Sequence, residues 1–254
     1  MVWQKTLASF AWKKLDSIPA YKIFSLGDSA VTIDFGNQIN DQVNKQVINL
    51  FQQFSAAPFE GMIEAVPAYS SLTIFYNFFL LRSKLDPNIL VCDWVKKRVE
   101  EKLFEIVPGE ESQPLIHHIP VCYDEEFGTD LARLSEEKNL SISEIIQIHC
   151  SKKYRVYMLG FLPGFAYMGE VDDRIVAGRK AQPTQIIAGS VGIAGKQTGI
   201  YPLNSPGGWQ IVGRTPKKLF DPLKSESCLL KAGDEVEFYS ITKDEFKNSQ
   251  SRNS

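Results

Sequence analysis

Arginine, histidine and aromatic side chains gather between His149 and Arg214, among glycines and prolines that fix the backbone around them. Arg179 and Arg214 each carry a planar donor fork that matches a carboxylate or a phosphate. They flank a Gly/Pro-rich segment that holds Tyr201 and Trp209, and Phe161, Phe165 and Tyr167 precede Arg179. Pro163-Gly164 forces a turn that brings Phe161 and Phe165 together. Such a turn makes either an aromatic wall of a pocket for an anionic ligand or aromatic filling for a core. His149 ends a helical segment just before Lys152 and Lys153. A helix C-terminus favours histidine, whose ordinary pKa suits either a proton carrier or a satisfied core residue.

The glycine-rich run after this point offers weaker chemistry. Ala188-Gly189-Ser190-Val191-Gly192 resembles a nucleophile elbow, but Ala188 stands where glycine is required and a strand follows, so Ser190 is not expected to be a nucleophile. Gly195-Lys196-Gln197-Thr198 lacks the Walker spacing and the helix that should follow the lysine. Gly189, Ser190, Gln197 and Thr198 could still form a backbone anion nest, as could Gly207-Gly208 in Ser205-Pro206-Gly207-Gly208-Trp209. A plain tight hairpin is the simpler reading of Gly189–Gly199. His117 and His118 adjoin near Cys122, but successive strand residues face opposite ways, so no shared metal ion is expected. Cys92, Cys122, Cys150 and Cys228 are widely spaced and read as scattered buried thiols.

Composition bounds the function. The chain has 254 residues, 44% hydrophobic and 23% charged, as in a folded globular protein of one or two domains. A formal net charge of −2 argues against nucleic acid as a partner. No apolar run reaches membrane-spanning length; the longest, Thr73–Leu81, is broken by Asn77. The segment before Tyr21 has Lys5, Lys13 and Lys14 spread through it, and reads as an amphipathic or extended arm with no export signal, so a cytoplasmic location is expected.

The elements that must position the site fall into two sets. In the first half, Lys22–Ser25 and Ala30–Phe35 read as strands around Gly27-Asp28-Ser29, and Val43, Val47, Leu50 and Phe54 recur at helical spacing behind Asn40 or Asp41. Met62–Pro67 and Ser71–Tyr76 read as a strand pair, and Asp86-Pro87 as the start of a second helix running to about Glu105, stopped by Pro108-Gly109. This order predicts an α+β N-terminal domain, an antiparallel sheet with two helices. After the acidic loop Gly109-Glu110-Glu111, Gln113–Cys122 reads as a strand. Phe127–Lys138, capped by Thr129, and Ser141–Ser151, opened by a Ser141/Glu144 capping box, read as short helices. Short strands and turns follow, ending with Cys228–Leu230 and Glu235–Tyr239 around Gly233-Asp234 and a frayed polar tail after Lys243. The expected division is an arm over 1–20, an α+β domain over 21–112, a mostly β domain over 113–243 with two helices at its entrance, and a tail over 244–254.

The chain resembles the family of the B-type subunit of 5-oxoprolinase, or kinase A inhibitor, also called allophanate hydrolase subunit 1. The resemblance rests on Gly160-Phe161-x-Pro163-Gly164-Phe165-x-Tyr167, Ala188-Gly189-Ser190-Val191-x-Ile193-Ala194-Gly195, Gln197-Thr198-Gly199-Ile200-Tyr201-Pro202, Ser205-Pro206-Gly207-Gly208-Trp209 and Gly213-Arg214-Thr215-Pro216, in that order. It implies a cyclophilin-like β barrel after the α+β domain, and a part in the ATP-dependent hydrolysis of 5-oxoproline to glutamate. The B-type subunit and a C-type partner, of the allophanate hydrolase subunit 2 family, would together phosphorylate the lactam. An A-type subunit would complete ring opening. ATP, with Mg2+, would be shared with the C-type partner.

On this resemblance the site would use Phe161, Phe165, Tyr167, Tyr201 and Trp209 as an aromatic floor and Arg179 and Arg214 for the substrate carboxylate. Gly189, Ser190, Gln197, Thr198, Gly207 and Gly208 would hold phosphate, and His149 would serve as acid or base. The resemblance also implies a competing role, inhibition of a sensor histidine kinase through the barrel; a peptidyl-prolyl isomerase activity ranks below both, because a shared fold does not fix an activity. The chain departs from the family pattern where Pro183-Thr184 replaces a Pro-Arg pair, Gly178-Arg179 keeps the arginine of another, and Ile187 replaces a proline.

Overall fold

The computed structural model describes residues 13–15, 18–37, 39–105 and 113–253. The chain divides into two compact units, residues 1–113 and 114–254. Much of the arm, Pro108-Gly109 and the Gly109-Glu110-Glu111 loop lie outside the described residues.

The first unit is an antiparallel sheet under helices. Strands β1 (Lys13–Leu15), β2 (Ile18–Ser25), β3 (Ala30–Asp34), β4 (Met62–Pro67) and β5 (Ser71–Tyr76) pair in the order β1-β2-β3-β5-β4. The part of the arm that is described is therefore strand, paired with β2 at Lys13↔Tyr21. Helix α1 (Asp41–Ala56) starts at Asn40, whose Oδ1 accepts the N–H groups of Gln42 and Val43 at 2.9 and 3.1 Å. Alternate strand residues Val31, Ile33, Leu72 and Ile74 share a core with Val43, Val47, Leu50 and Phe54 of α1.

Two boundaries here differ from the sequence reading. A further helix, α2 (Phe78–Lys84), follows β5, and Asn77 caps it by accepting Leu80 N–H at 3.0 Å. The residue that interrupts the apolar run is a helix start. Asp86-Pro87 opens no helix; α3 begins at Val91 and runs to Glu105. The Arg82 guanidinium donates to the carbonyls of Leu85, Asp86 and Ile89, which holds residues 85–89 as a loop.

The second unit is a closed barrel. Its strands are β6 (Ile116–Cys122), β7 (Lys153–Leu159), β8 (Ala166–Gly169), β10 (Ser190–Ala194), β11 (Gln197–Ile200), β13 (Gln210–Arg214) and β14 (Glu235–Ile241), joined in the order β10-β11-β8-β7-β14-β6-β13. β13 returns to β10, and the β6–β13 seam is the single pair Cys122↔Arg214. β9 (Thr184–Ile186) and β12 (Ser205–Gly207) form a separate two-stranded ribbon. Val121, Val156, Met168, Val191, Ile193, Ile200, Val212, Val236 and Phe238 belong to one buried cluster, the barrel interior. Two helices, α4 (Leu131–Lys138) and α5 (Ile142–Cys150), pack Leu134, Ile145 and Ile148 onto that cluster. The Ser141/Glu144 capping box opens α5 as expected.

Three expectations fail in this unit. α4 begins at Leu131, so Phe127–Asp130 is turn and Thr129 is not its cap. Cys228–Leu230 is no strand: Cys228 makes an isolated bridge to Phe220, inside a loop closed by Asp221 N–H to Ser227 O and Leu229 N–H to Leu219 O. The tail is a helix, α6 (Lys243–Asn253), capped by reciprocal bonds between Thr242 and Glu245. Phe246 anchors it, fully buried, with its ring centroid 4.5 Å from that of Phe127. Among the described residues no helix is long and apolar enough to cross a membrane.

Candidate functional site

Strand alternation decides where the aromatics go. In β8, β10 and β11, the residues Ala166, Met168, Val191, Ile193 and Ile200 point into the barrel. Their neighbours Tyr167, Gly192, Ala194 and Gly199 therefore face outward. Two of these are glycines, and that bare wall is what Trp209 and Phe165 rest on. A Cβ on Gly199 would stand 3.0 Å from Trp209 Cζ3 and 3.1 Å from Phe165 Cζ; one on Gly192 would stand 3.1 Å from Trp209 Cβ. The result is a second buried cluster of Phe165, Ile186, Ala194, Tyr201, Trp209 and Ile211, separate from the barrel interior. These aromatics therefore cover an outer wall of the barrel and do not fill its interior.

The rings meet edge to face. Centroids lie 4.8 Å apart for Phe165–Tyr167, 5.2 Å for Phe165–Tyr201 and 5.4 Å for Phe165–Trp209, each pair worth about 1 kcal/mol beyond simple burial. Phe165, Tyr201 and Trp209 are buried and form the floor, whereas Phe161 is 60% exposed above it, 5.5 Å from Phe165. Phe161 holds a φ of +68°, beside Gly164 at +80°. A bulky side chain rarely adopts that conformation unless its surroundings impose it. Tyr201 is wedged under β12: a Cβ on Gly207 would come within 2.4 Å of its hydroxyl.

Arg179 joins this cluster and Arg214 does not. Burial raises the pKa of the Tyr167 and Tyr201 phenols, and the positive charge of Arg179 opposes the rise at both. Arg179 itself is exposed. Arg214 donates through Nε to the Ala188 carbonyl at 2.9 Å and lies 5.8 Å from the Phe246 ring of α6. Burial pushes its pKa down, against the pull of Glu126. It is a link between the wall and the C-terminal helix, so the two arginines do not converge.

The anion nest is not formed. Gly189 N–H donates to Tyr201 O at 2.7 Å and Ser190 N–H to Ile187 O at 3.1 Å. Gln197 and Thr198 sit in β11, which is paired on both sides, with β10 and with β8. Gly195, at φ +58°, makes the tight hairpin turn between β10 and β11. Gly207 is paired with Thr184, and the Gly208 carbonyl accepts the Lys180 N–H. The N–H groups of Gly189 and Ser190 are thus spent within the protein, and Gln197, Thr198 and Gly207 lie in paired strands. Among the described residues no group of three His, Cys, Asp or Glu could hold a metal ion. His117 and His118 bind different acids, Asp234 at 2.9 Å and Glu237 at 3.1 Å.

His149 lies elsewhere, fully buried on the barrel core side. Tyr123 O–H lies 2.7 Å from Nδ1, and Nε2 lies 3.0 Å from Thr198 Oγ1. Thr198 in turn donates to the Gly192 carbonyl at 3.1 Å. These bonds fit one neutral tautomer, with Nδ1 accepting and Nε2–H donating. The ring stacks on Phe238 at 4.7 Å, and burial pulls its pKa from 6.5 down to about 3. A fully buried imidazole with both nitrogens engaged organises the core; the acid–base role anticipated for it is not supported.

Sequence reasoning missed a polar group beside Arg179. Lys180 Nζ lies 2.7 Å from Asp130 Oδ2 and donates to Thr184 Oγ1 at 3.3 Å. Gln210 Nε2 donates to the Gly178 carbonyl at 2.7 Å, and Arg133 donates to Gln210 Oε1. The one available signal was Gln210, a polar residue inside the apolar run Trp209–Val212.

Residues 21–230 match the family described as carboxyltransferase domain, subdomain C and D. The chain is 46% identical over 228 residues to the B-type subunit of 5-oxoprolinase from Bacillus subtilis, covering 89% of this chain and 95% of that protein. It is 34% identical over 218 residues to the corresponding 5-oxoprolinase subunit of Escherichia coli, covering 85% of this chain and 94% of the relative. Among solved structures, TTHA0988 superposes with a TM-score of 0.71 at 32% identity, over 84% of this chain and 40% of that one. The chain thus spans about two fifths of that longer protein.

Proposed function

Because this chain belongs to the family of the B-type subunit of 5-oxoprolinase, we propose that it is a non-autonomous component of an ATP-dependent 5-oxoprolinase. The reaction converts 5-oxo-L-proline, ATP and water to L-glutamate, ADP and phosphate, in the cytoplasm, with the C-type and A-type subunits as partners. A lactam resists hydrolysis, and phosphorylation of its oxygen makes the carbonyl carbon open to water. ATP and its Mg2+ are assigned to a site shared with the C-type partner; the N–H groups of Gly189, Ser190 and Gly195 are engaged within this chain.

The chain's own part is to hold the substrate. Its carboxylate pairs with the Arg179 fork, and its small ring lies against Phe161 and Tyr167, over the floor of Phe165, Tyr201 and Trp209. The observation that carries this reading is the seating of Arg179: its neighbours Gly178 and Lys180 are hydrogen-bonded to Gln210 and Gly208, on either side of Trp209, which sets an exposed cation beside an otherwise apolar aromatic cluster. The test is to combine the purified chain with its C-type and A-type counterparts, ATP and 5-oxoproline. Glutamate should form well above the level of the mixture lacking this chain; equal levels would defeat the reading.

A further inference from the structure

We infer that Lys180, through its ion pair with Asp130, is the positioning residue that aims Arg179 over the aromatic floor; the inference rests on the substrate reading given above. Asp130 occupies the N-cap position of α4, yet its side chain makes no cap hydrogen bond, although aspartate is among the preferred capping residues. Its Oδ2 instead accepts from Lys180 Nζ and from Ile211 N–H, both at 2.7 Å. The Asp130 N–H donates to the Ile211 carbonyl at 2.9 Å, so the residue is fixed to β13 through two bonds.

Lys180 carries that fixed point into the loop. Its backbone N–H donates to Gly208 O at 2.7 Å, and Nζ reaches Thr184 at the start of β9. On the other side of Arg179, the Gly178 carbonyl is held by Gln210. No heavy atom lies within 4 Å of a Cβ built on Gly178, so hydrogen bonds rather than packing secure that flank. Both neighbours of Arg179 are thus pinned while its own side chain is exposed. The ion pair is 17% and 14% exposed. A largely desolvated pair gains little stability over an apolar one, and its geometric role is the better account of it.

The experiment uses the reconstituted complex with Lys180→Met, the charge-free pair Asp130→Asn/Lys180→Met, and Lys180→Arg, each also in an Arg179→Ala background. Loss of aim removes substrate binding, so Lys180→Met and the charge-free pair should raise KM for 5-oxoproline about tenfold with kcat within about twofold. Lys180→Arg should recover most of the loss. With Arg179→Ala present, the same changes should add nothing further. A full additive rise in that background, or a fall in kcat at constant KM, overturns the inference.

An arm independent of activity is alkaline titration of the tyrosines. Lys180→Met should shift the phenol transition upward when Arg179 is present and leave it unmoved in Arg179→Ala. An equal shift in both backgrounds, or none in either, also overturns the inference. If the wild-type complex forms no glutamate, the substrate reading fails and the titration alone decides the positioning role.

Discussion

Trp209 lies with its Cζ3 edge against the bare Cα of Gly199, where an added methyl would stand 3.0 Å from that carbon and 3.0 Å from the Ala166 carbonyl oxygen. Neither neighbour yields easily: one is backbone, the other a buried indole. Gly199→Ala should therefore cost about 1–3 kcal/mol through overpacking and weaken 5-oxoproline binding by lifting the indole. Denaturant unfolding and substrate titration check both, and an unchanged midpoint would show that the wall has slack.

Phe161 shows the opposite balance. Its ring is mostly exposed and its φ is +68°. Phe161→Gly relieves the left-handed strain, of order 1 kcal/mol, while making the unfolded chain more flexible by a similar amount. Stability should change by less than about 1 kcal/mol, while KM for 5-oxoproline rises several-fold. Loss of folding with no change in KM would assign the ring to packing alone.

The two arginines should separate cleanly. Arg179→Ala removes a charge-assisted contact to the substrate, so KM should rise about 10- to 100-fold with the melting curve unmoved. Arg214→Ala breaks the link to Ala188 and Phe246 and should cost about 2 kcal/mol of stability. A rise in KM for Arg214→Ala without that destabilisation would place Arg214 back at the substrate.

His149 makes stability depend on pH in a definite direction. Its folded pKa of about 3 lies below the ordinary 6.5, so between these values the unfolded chain binds the extra proton. The contribution is complete above pH 6.5 and falls as pH drops toward 3, by roughly 1 kcal/mol per pH unit. Urea unfolding at a series of pH values, compared with His149→Gln, isolates this contribution. Wild type should lose its advantage on acidification, and parallel curves for the two proteins would rule it out.

Much of the architecture was legible because it depends on local rules. Met62–Pro67 and Ser71–Tyr76 were readable as a strand pair, and the Ser141/Glu144 box marked the start of α5. Local signals misled where a distant partner took the side chain. Thr129 reads as the cap of α4, yet the cap position falls on Asp130, whose carboxylate serves Lys180 and Ile211. The tail after Lys243 looks polar apart from Phe246, and partners far back in the chain, Phe127 and Arg214, explain why that residue anchors a helix. The aromatic cluster was visible as a set of residues but not by location. Which side of a strand faces the barrel follows from pairing, and pairing is not written in any single segment.

The imidazole behind Phe238 carries one further consequence, for measurement. Its Nε2 hydrogen, directed at Thr198, is sealed from solvent on every side that the barrel encloses. In a proton magnetic resonance spectrum it should give a lone downfield line that vanishes into heavy water only as fast as the whole barrel opens. A single atom would then serve as a clock for the rarest motion of the molecule.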